Sequence, residues 1–176
     1  VLTRVESTEL TDEEWSAVYA GVEEALAHLE EFRRQEGASL EKKFREKIQN
    51  IETLLKEIEP YEKERVGKIR ERILEALQKS VDVDYDKNRL EQELIYYIEK
   101  LDVNEEKQRL ANHLSYFLTT LANGHGQGKK LGFIAQEMGR EINTLGSKSN
   151  HATMQNIVVQ MKDELEQIKE QVLNVM

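Results

Sequence analysis

The sequence predicts an all-α protein, an elongated bundle of long antiparallel helices and helical hairpins. Apolar residues recur three or four positions apart through most of the 176 residues, and no stretch alternates with period two for long enough to indicate a strand. The composition is also that of long helices, because 34% of residues are charged, 39% are hydrophobic and only one is proline. We therefore expect helices that pack side by side as antiparallel hairpins.

Residues 1–80 are predicted to form a long helical hairpin or coiled-coil-like arm. Thr11 and Glu14 have the spacing of a capping box, in which each side chain reaches a free backbone N–H at a helix start. An apolar seam with helical period follows at Trp15, Val18, Val22, Leu26, Leu29 and Phe32. We assign Trp15, which lies on this seam, to packing, and such seams could also pair between chains.

The rest of this arm is predicted to contain two further helical segments. Gly37 interrupts the first seam, and the apolar period resumes over residues 40–58. Pro60 lacks an N–H and its ring obstructs the preceding turn, so it predicts a helix boundary or a kink. The period then continues to about Lys79.

Residues 81–176 are predicted to form a helical region that continues from the arm and carries the functional motifs. Residues 81–88 are acidic and β-branched without a clear period, so we interpret them as a connection. Asp102 and Glu105 form a second capping-type pair, and residues 123–128 form a glycine-rich turn. The helix after this turn has a predicted core face at Phe133, Ile134, Met138, Ile142 and Leu145.

Composition and charge exclude several classes of protein. The chain has no cysteine, which excludes disulfides, cysteine-based zinc sites and thiol nucleophiles. No apolar stretch is long enough for a transmembrane helix, and the first residues lack the pattern of a signal peptide, so we expect a soluble cytoplasmic protein. The net charge of −9 repels polyanions, and any nucleic-acid site must therefore be a local basic patch or be assisted by metal ions.

One polar stripe lies within residues 102–114. Its members step by four, three and four residues and so share one helix face: Asp102, Glu106, Arg109 and His113. Carboxylates and an imidazole in such a row can bind a divalent cation, and histidine can transfer a proton near neutral pH. The alternative is structural, in which the acids cap the helix or pair with the arginine and the histidine only packs.

A second polar stripe follows the glycine-rich turn, at Gln136, Glu137, Arg140, Glu141, Asn143, Thr144, Ser147 and Lys148. Two glutamates one turn apart could share a metal, and arginine suits a bidentate grip on phosphate. Lys129 and Lys130 precede the stripe at a helix start, and residues 124–148 hold four basic and two acidic residues. A solvated helix face is the alternative, although Asn, Thr, Ser and Gly are poor helix formers for that purpose.

Three segments resemble the C-terminal part of the YicC/YloC family of bacterial endoribonucleases: NRLEQEL (88–94), LDVNEEKQRLANH (101–113) and GKKLGFIAQEMGREINTLGSKS (128–149). The resemblance implies a metal-dependent ribonuclease that cleaves single-stranded or hairpin RNA internally and assembles into a homo-oligomer, a hexameric ring in the full-length form. Full-length members carry a further N-terminal α/β domain, so this chain looks like their C-terminal region. Gly139 stands where the family commonly has Asn, which removes one possible RNA or metal contact.

The resemblance and the two stripes together give a lead hypothesis for the site. We expect the catalytic residues, which are also the ligands of one Mn²⁺ or Mg²⁺, to be Glu106, His113, Glu137 and Glu141. His113 is the candidate for proton transfer. We expect RNA to be held by Arg109, Lys129, Lys130, Arg140, Asn143 and Lys148. The alternative is a non-catalytic helical module whose polar stripes serve oligomerisation or RNA binding.

Overall fold

The computed structural model describes residues 10–79, 87–124 and 126–175, and these form six α-helices without any strand. The helices are α1 (Asp12–Glu57), α2 (Glu59–Lys79), α3 (Lys87–Lys100), α4 (Asn104–Ala122), α5 (Gly128–Lys148) and α6 (Ala152–Val172). The all-α prediction is therefore confirmed. The connection predicted near residues 81–88, and with it the boundary drawn at residue 80, lies mostly outside the described residues.

The capping box at the start of α1 is confirmed. The backbone N–H of Thr11 donates to Oε2 of Glu14 at 2.9 Å, and the N–H of Glu14 donates to Oγ1 of Thr11 at 3.2 Å. Gly37 does not interrupt the helix, because a single interior glycine costs only about 1 kcal/mol and α1 continues through it. Pro60 does mark a boundary, since it lies in the first turn of α2, where its missing N–H is not needed.

The chain divides into two compact units, with the division after Leu40. In the first unit, no described element of the chain covers the apolar seam: between 50% and 57% of each residue is exposed at Trp15, Val18, Val22, Leu26, Leu29 and Phe32. Pairing of this seam between chains stays a prediction. The period correctly placed these residues on one face of α1. It did not show whether another element covers that face.

The second unit contains the apolar core of the described chain. Its α1 part contributes a buried stripe at Phe44, Ile48, Ile51 and Leu55, followed by Ile58 after the helix end. Phe44 meets Phe117 of α4 edge to face, with ring centroids 5.5 Å apart. On α5 the predicted core positions are buried except Phe133, which is 57% exposed, so that prediction is wrong.

Glycines allow α5 to approach α6 closely. A Cβ atom at Gly132 would meet Val172, one at Gly139 would meet Leu165, and one at Gly146 would lie only 2.9 Å from Cγ1 of Val158. The glycines are seven residues apart and so are their partners, which is the register of an antiparallel pair. Gly139 therefore faces α6, and the loss of an RNA or metal contact there stays a prediction.

The start of α4 differs from the predicted capping pair of Asp102 with Glu105. The cap position is Val103, which makes no side-chain cap, and Oδ1 of Asp102 instead accepts hydrogen bonds from the backbone and side chain of Asn104. Among the described helices, none is long and apolar enough to cross a membrane.

Candidate functional site

The two polar stripes lie on neighbouring antiparallel helices, α4 and α5. Nζ of Lys148 lies 2.6 Å from Oε1 of Glu106, at the end of α5 and the start of α4. Further along, a guanidinium nitrogen of Arg109 is 4.0 Å from Glu141. Near the other end, Nζ of Lys130 is 5.0 Å from the ring centroid of Tyr116. We call the surface that carries these three contacts the α4/α5 face.

This register places the candidate imidazole and a candidate carboxylate in the same stretch of the α4/α5 face. His113 lies between Arg109 and Tyr116 on α4, and Glu137 lies between Lys130 and Glu141 on α5. Both side chains are half-buried. The helical spacing within each stripe was predictable from the sequence, whereas the pairing of the two stripes is a property of the fold.

The pair formed by Glu106 and Lys148 is mostly removed from solvent. The side chain of Glu106 is 6% exposed and that of Lys148 is 30% exposed. The second carboxylate oxygen of Glu106, Oε2, is buried and has no hydrogen-bond partner among the described residues. The ammonium group of Lys148 is thus engaged by an acid inside the protein, which limits its availability for the predicted contact with RNA.

Arg65 of α2 supports this pair and was missed by the sequence analysis. It is 5% exposed, and its guanidinium group donates to the backbone carbonyls of Lys148 at 3.1 Å and of Leu101 at 2.6 Å. Burial lowers the pKa of Arg65, and the nearby charges of Glu62 and Asp102 oppose that shift. A weak signal existed in the sequence, since Arg65 follows Ile58 by seven residues and so falls on the apolar side of α2.

The other predicted RNA contacts are exposed. Arg109 pairs with Glu105 and Arg140 pairs with Glu137, each within one helix and each at an exposed site. Such pairs contribute little to stability, so their guanidinium groups can exchange a carboxylate for a phosphate at small cost. Also exposed are Lys129, Lys130 and Asn143.

The described residues do not form the predicted four-ligand metal site. Each of the three carboxylates already has a basic neighbour: Glu106 has Lys148, Glu137 has Arg140 and Glu141 has Arg109. Within residues 10–79, 87–124 and 126–175, no group of three or more histidine, aspartate and glutamate side chains could hold a metal ion. The donor set in this single chain therefore does not fit a bound Mn²⁺ or Mg²⁺.

Comparison with known proteins agrees with the resemblance seen in the motifs. Residues 58–176, well over half of the chain, match the family model described as endoribonuclease YicC-like, C-terminal. This chain belongs to the YicC-like C-terminal family. All of the α4/α5 face lies within the matched residues, whereas the first compact unit lies before them.

Two curated relatives support the YicC-like assignment. The probable endoribonuclease YicC of Clostridioides difficile (strain 630) is 36% identical over 163 residues, which cover 92% of this chain and 56% of the relative. The probable endoribonuclease YicC of Haemophilus influenzae (strain ATCC 51907 / DSM 11121 / KW20 / Rd) is 32% identical over 105 residues, covering 60% of this chain and 36% of the relative. The chain thus spans about half the length, or less, of these relatives.

The hydroxyl groups in the second stripe of this YicC-like chain are used locally. Oγ1 of Thr144 donates to the carbonyl of Arg140 at 3.1 Å, and Oγ of Ser147 donates to the carbonyl of Thr144 at 2.8 Å. Both bonds satisfy hydroxyl groups against the backbone of α5 itself. The chemistry of the stripe therefore divides into hydroxyls bonded to the helix and charged groups that reach the α4/α5 face.

Proposed function

We propose that this chain is the helical part of an endoribonuclease, and that RNA binds and is cleaved internally on the α4/α5 face. The two relatives carry the name probable endoribonuclease. The observation that carries the proposal is the position of His113, a half-buried imidazole between Arg109 and Tyr116 on a face with exposed arginines. Within the described residues His113 makes no hydrogen bond or ion pair, so its ring nitrogens are free for a substrate.

Cleavage of a phosphodiester requires a proton to leave the attacking oxygen and another to reach the departing 5′ oxygen. Histidine carries out such transfers near neutral pH. Arg109 and Arg140 have the planar donor geometry that grips phosphate oxygens in pairs. The attacking oxygen is either the ribose 2′-hydroxyl or water, and a 2′,3′-cyclic phosphate on the product would identify the first.

The test compares two histidine substitutions in this chain. We expect His113→Asn to lower the rate of cleavage of a labelled RNA by about a hundredfold or more, which is the usual contribution of a general acid or base. His28→Asn is the matched control, because His28 is an exposed histidine of α1, outside the family match. Equal rates for His113→Asn and the unsubstituted chain would contradict the assignment of His113.

Dependence of cleavage on Mn²⁺ or Mg²⁺ stays a prediction. Its test is cleavage with each ion and after addition of EDTA. A cleavage rate that is unchanged in EDTA would contradict the prediction. A rate that needs the ion would require ligands from outside the described residues or from a second chain.

A second candidate role is assembly, as a homo-oligomer of helical modules. The observation that favours it is the exposed seam of α1, whose members Trp15, Val18, Val22, Leu29 and Phe32 have coiled-coil spacing. Val22→Glu with Leu29→Glu should then lower the mass measured by light scattering. The double variant Glu137→Gln with Glu141→Gln separates the two roles when cleavage and oligomer mass are both measured. Loss of cleavage at unchanged oligomer mass favours the enzyme, and a lower oligomer mass favours the assembly module.

We propose a cytoplasmic location as part of the enzyme proposal, because that is where the protein would encounter RNA.

A further inference from the structure

Two aromatic rings are exposed on the α4/α5 face. Tyr116 of α4 is 48% exposed and Phe133 of α5 is 57% exposed. Lys130 connects them, because its Nζ lies 5.0 Å from the ring centroid of Tyr116 and it precedes Phe133 by three residues on the same side of α5. We call these three residues the aromatic platform.

The platform lies in an unusual stretch of the sequence. Residues 107–136 contain four basic residues and no acidic one, although the whole chain has 34 acidic residues and a net charge of −9. The four are Lys107, Arg109, Lys129 and Lys130. Lys107 is engaged by Glu62 at 2.7 Å, which leaves three basic side chains at exposed positions. A polyanion that is repelled by most of the surface is attracted locally here.

We propose that the aromatic platform binds single-stranded RNA by stacking unpaired bases on Tyr116 and Phe133, while Lys129 and Lys130 contact the phosphates. This inference rests on the proposed function and deepens it, because it assigns Tyr116 and Phe133 as the residues that hold unpaired bases. Every base has a π-face, so stacking tolerates any sequence, and positive charge beside the rings follows the backbone. Bases in a duplex are already stacked and have no face to offer.

Charge distinguishes RNA from an apolar protein partner as the occupant of this surface. Lysine is depleted in the buried centre of protein interfaces, whereas Lys130 lies over the ring of Tyr116 in the middle of the platform. A cation close to exposed rings is complementary to a polyanion with aromatic bases. The nearest acid after Phe133 on α5 is Glu137, which is paired with Arg140 at 2.7 Å. A similar cation and ring on α3 supply a control outside the α4/α5 face. Tyr96 is 55% exposed, with Nζ of Lys100 5.8 Å from its ring centroid.

The experiment measures binding of fluorescein-labelled oligonucleotides by anisotropy in EDTA, with RNA integrity checked on gels. The probes are a twelve-nucleotide oligo(A), a twelve-nucleotide oligo(U) and a blunt twelve-base-pair RNA duplex. We expect Tyr116→Leu and Phe133→Leu each to weaken single-strand binding by about tenfold while leaving duplex binding unchanged. Tyr96→Leu is the matched control and should leave both unchanged.

A second readout reports stacking directly. In a Trp15→Phe background, Phe133→Trp places the chain's single tryptophan on the platform. We expect the single strands to quench its fluorescence and the duplex to leave it unchanged.

Three results would overturn the inference. These are unchanged single-strand affinity in both leucine variants, an equal loss of affinity for the duplex, and a changed oligomer mass in the variants, which would show that the platform is a contact between chains.

These results can be distinguished from failure of the proposed function. If His113→Asn abolishes cleavage while the leucine variants bind normally, the platform is wrong and the enzyme assignment stands. If the leucine variants lose single-strand binding while His113→Asn still cleaves, the platform stands and the role of His113 is wrong.

Discussion

Nζ of Lys148 donates to Oε1 of Glu106 at 2.6 Å, and the carboxylate is the more deeply buried partner. The two ends of the pair should therefore respond differently to substitution. Lys148→Met leaves an unpaired buried carboxylate, which we expect to lower the free energy of unfolding by about 3 kcal/mol. Glu106→Gln leaves a lysine that can turn toward solvent, so its cost should be about 1 kcal/mol.

Urea unfolding of the two single variants and the double variant measures this asymmetry. We expect the double variant, Glu106→Gln with Lys148→Met, to be more stable than Lys148→Met alone, because the unpaired charge is gone. If the double variant loses the sum of the two single effects, the pair does not contribute as a unit.

Arg65 holds the ends of two helices together through the carbonyls of Leu101 and Lys148. Arg65→Lys keeps the charge but loses the planar guanidinium group, whose two nitrogens reach the two carbonyls. We therefore expect the free energy of unfolding to fall by about 2 kcal/mol. Arg45→Lys is the control, because Arg45 pairs with Glu41 at an exposed site and its replacement should change stability by less than about 0.5 kcal/mol. Equal effects of the two substitutions in thermal or urea unfolding would contradict the role given to Arg65.

Glu14 gives α1 a predictable response to acid. The backbone N–H of Thr11 and then its hydroxyl donate to the carboxylate, and these bonds lower the pKa of Glu14. A lowered pKa in the folded state means that the stabilising contribution is present above the ordinary carboxyl pKa of about 4.3 and is lost as the pH falls through the lowered value. We expect the first turn of α1 to fray in that window, seen as a titration of the Thr11 amide in NMR spectra. Thr11→Val removes the hydroxyl but keeps the backbone N–H, so it should move the pKa of Glu14 part of the way back up. An unchanged titration would show that the hydroxyl of Thr11 does not bond to Glu14 in solution.

The sequence predicted which residues are helical better than which faces are covered. Pro60, the capping box and the core stripe of α5 follow from local rules of backbone and period. The seam at Trp15 obeys the same period, yet no described element covers it, because periodicity identifies an apolar face without identifying a neighbour. Phe133 was misplaced for a related reason: it precedes Glu137 by four residues and Arg140 by seven, so it belongs to the polar stripe.

The sequence predicted the two polar stripes of the candidate site, but it did not predict which residues of one stripe contact which residues of the other. The steps from Glu106 to His113 and from Glu137 to Lys148 put side chains on common faces, as any helix does. Which carboxylate meets which cation depends on the antiparallel register of α4 with α5. The local pattern places Arg65 on the apolar side of α2 but does not identify its partners, since these are backbone carbonyls far away in the chain.

The close packing of α5 on α6 predicts that its glycines differ from glycines elsewhere. A Cβ at Gly146 would lie 2.9 Å from Cγ1 of Val158, so Gly146→Ala requires the Val158 side chain or α6 to shift and should lower the free energy of unfolding by about 1–3 kcal/mol. Gly67→Ala is the matched control in α2 of the same compact unit, because its Cβ would meet nothing within 4 Å, and it should raise stability by about 0.5–1 kcal/mol. Val158→Ala removes the methyl group that the new Cβ would meet. The double variant Gly146→Ala with Val158→Ala should therefore lose less free energy of unfolding than the sum of the two single losses. Urea unfolding of these four variants and the parent tests this contact. Additive losses of stability, or a Gly146→Ala variant more stable than the parent, would show that α5 and α6 are not in contact at this position.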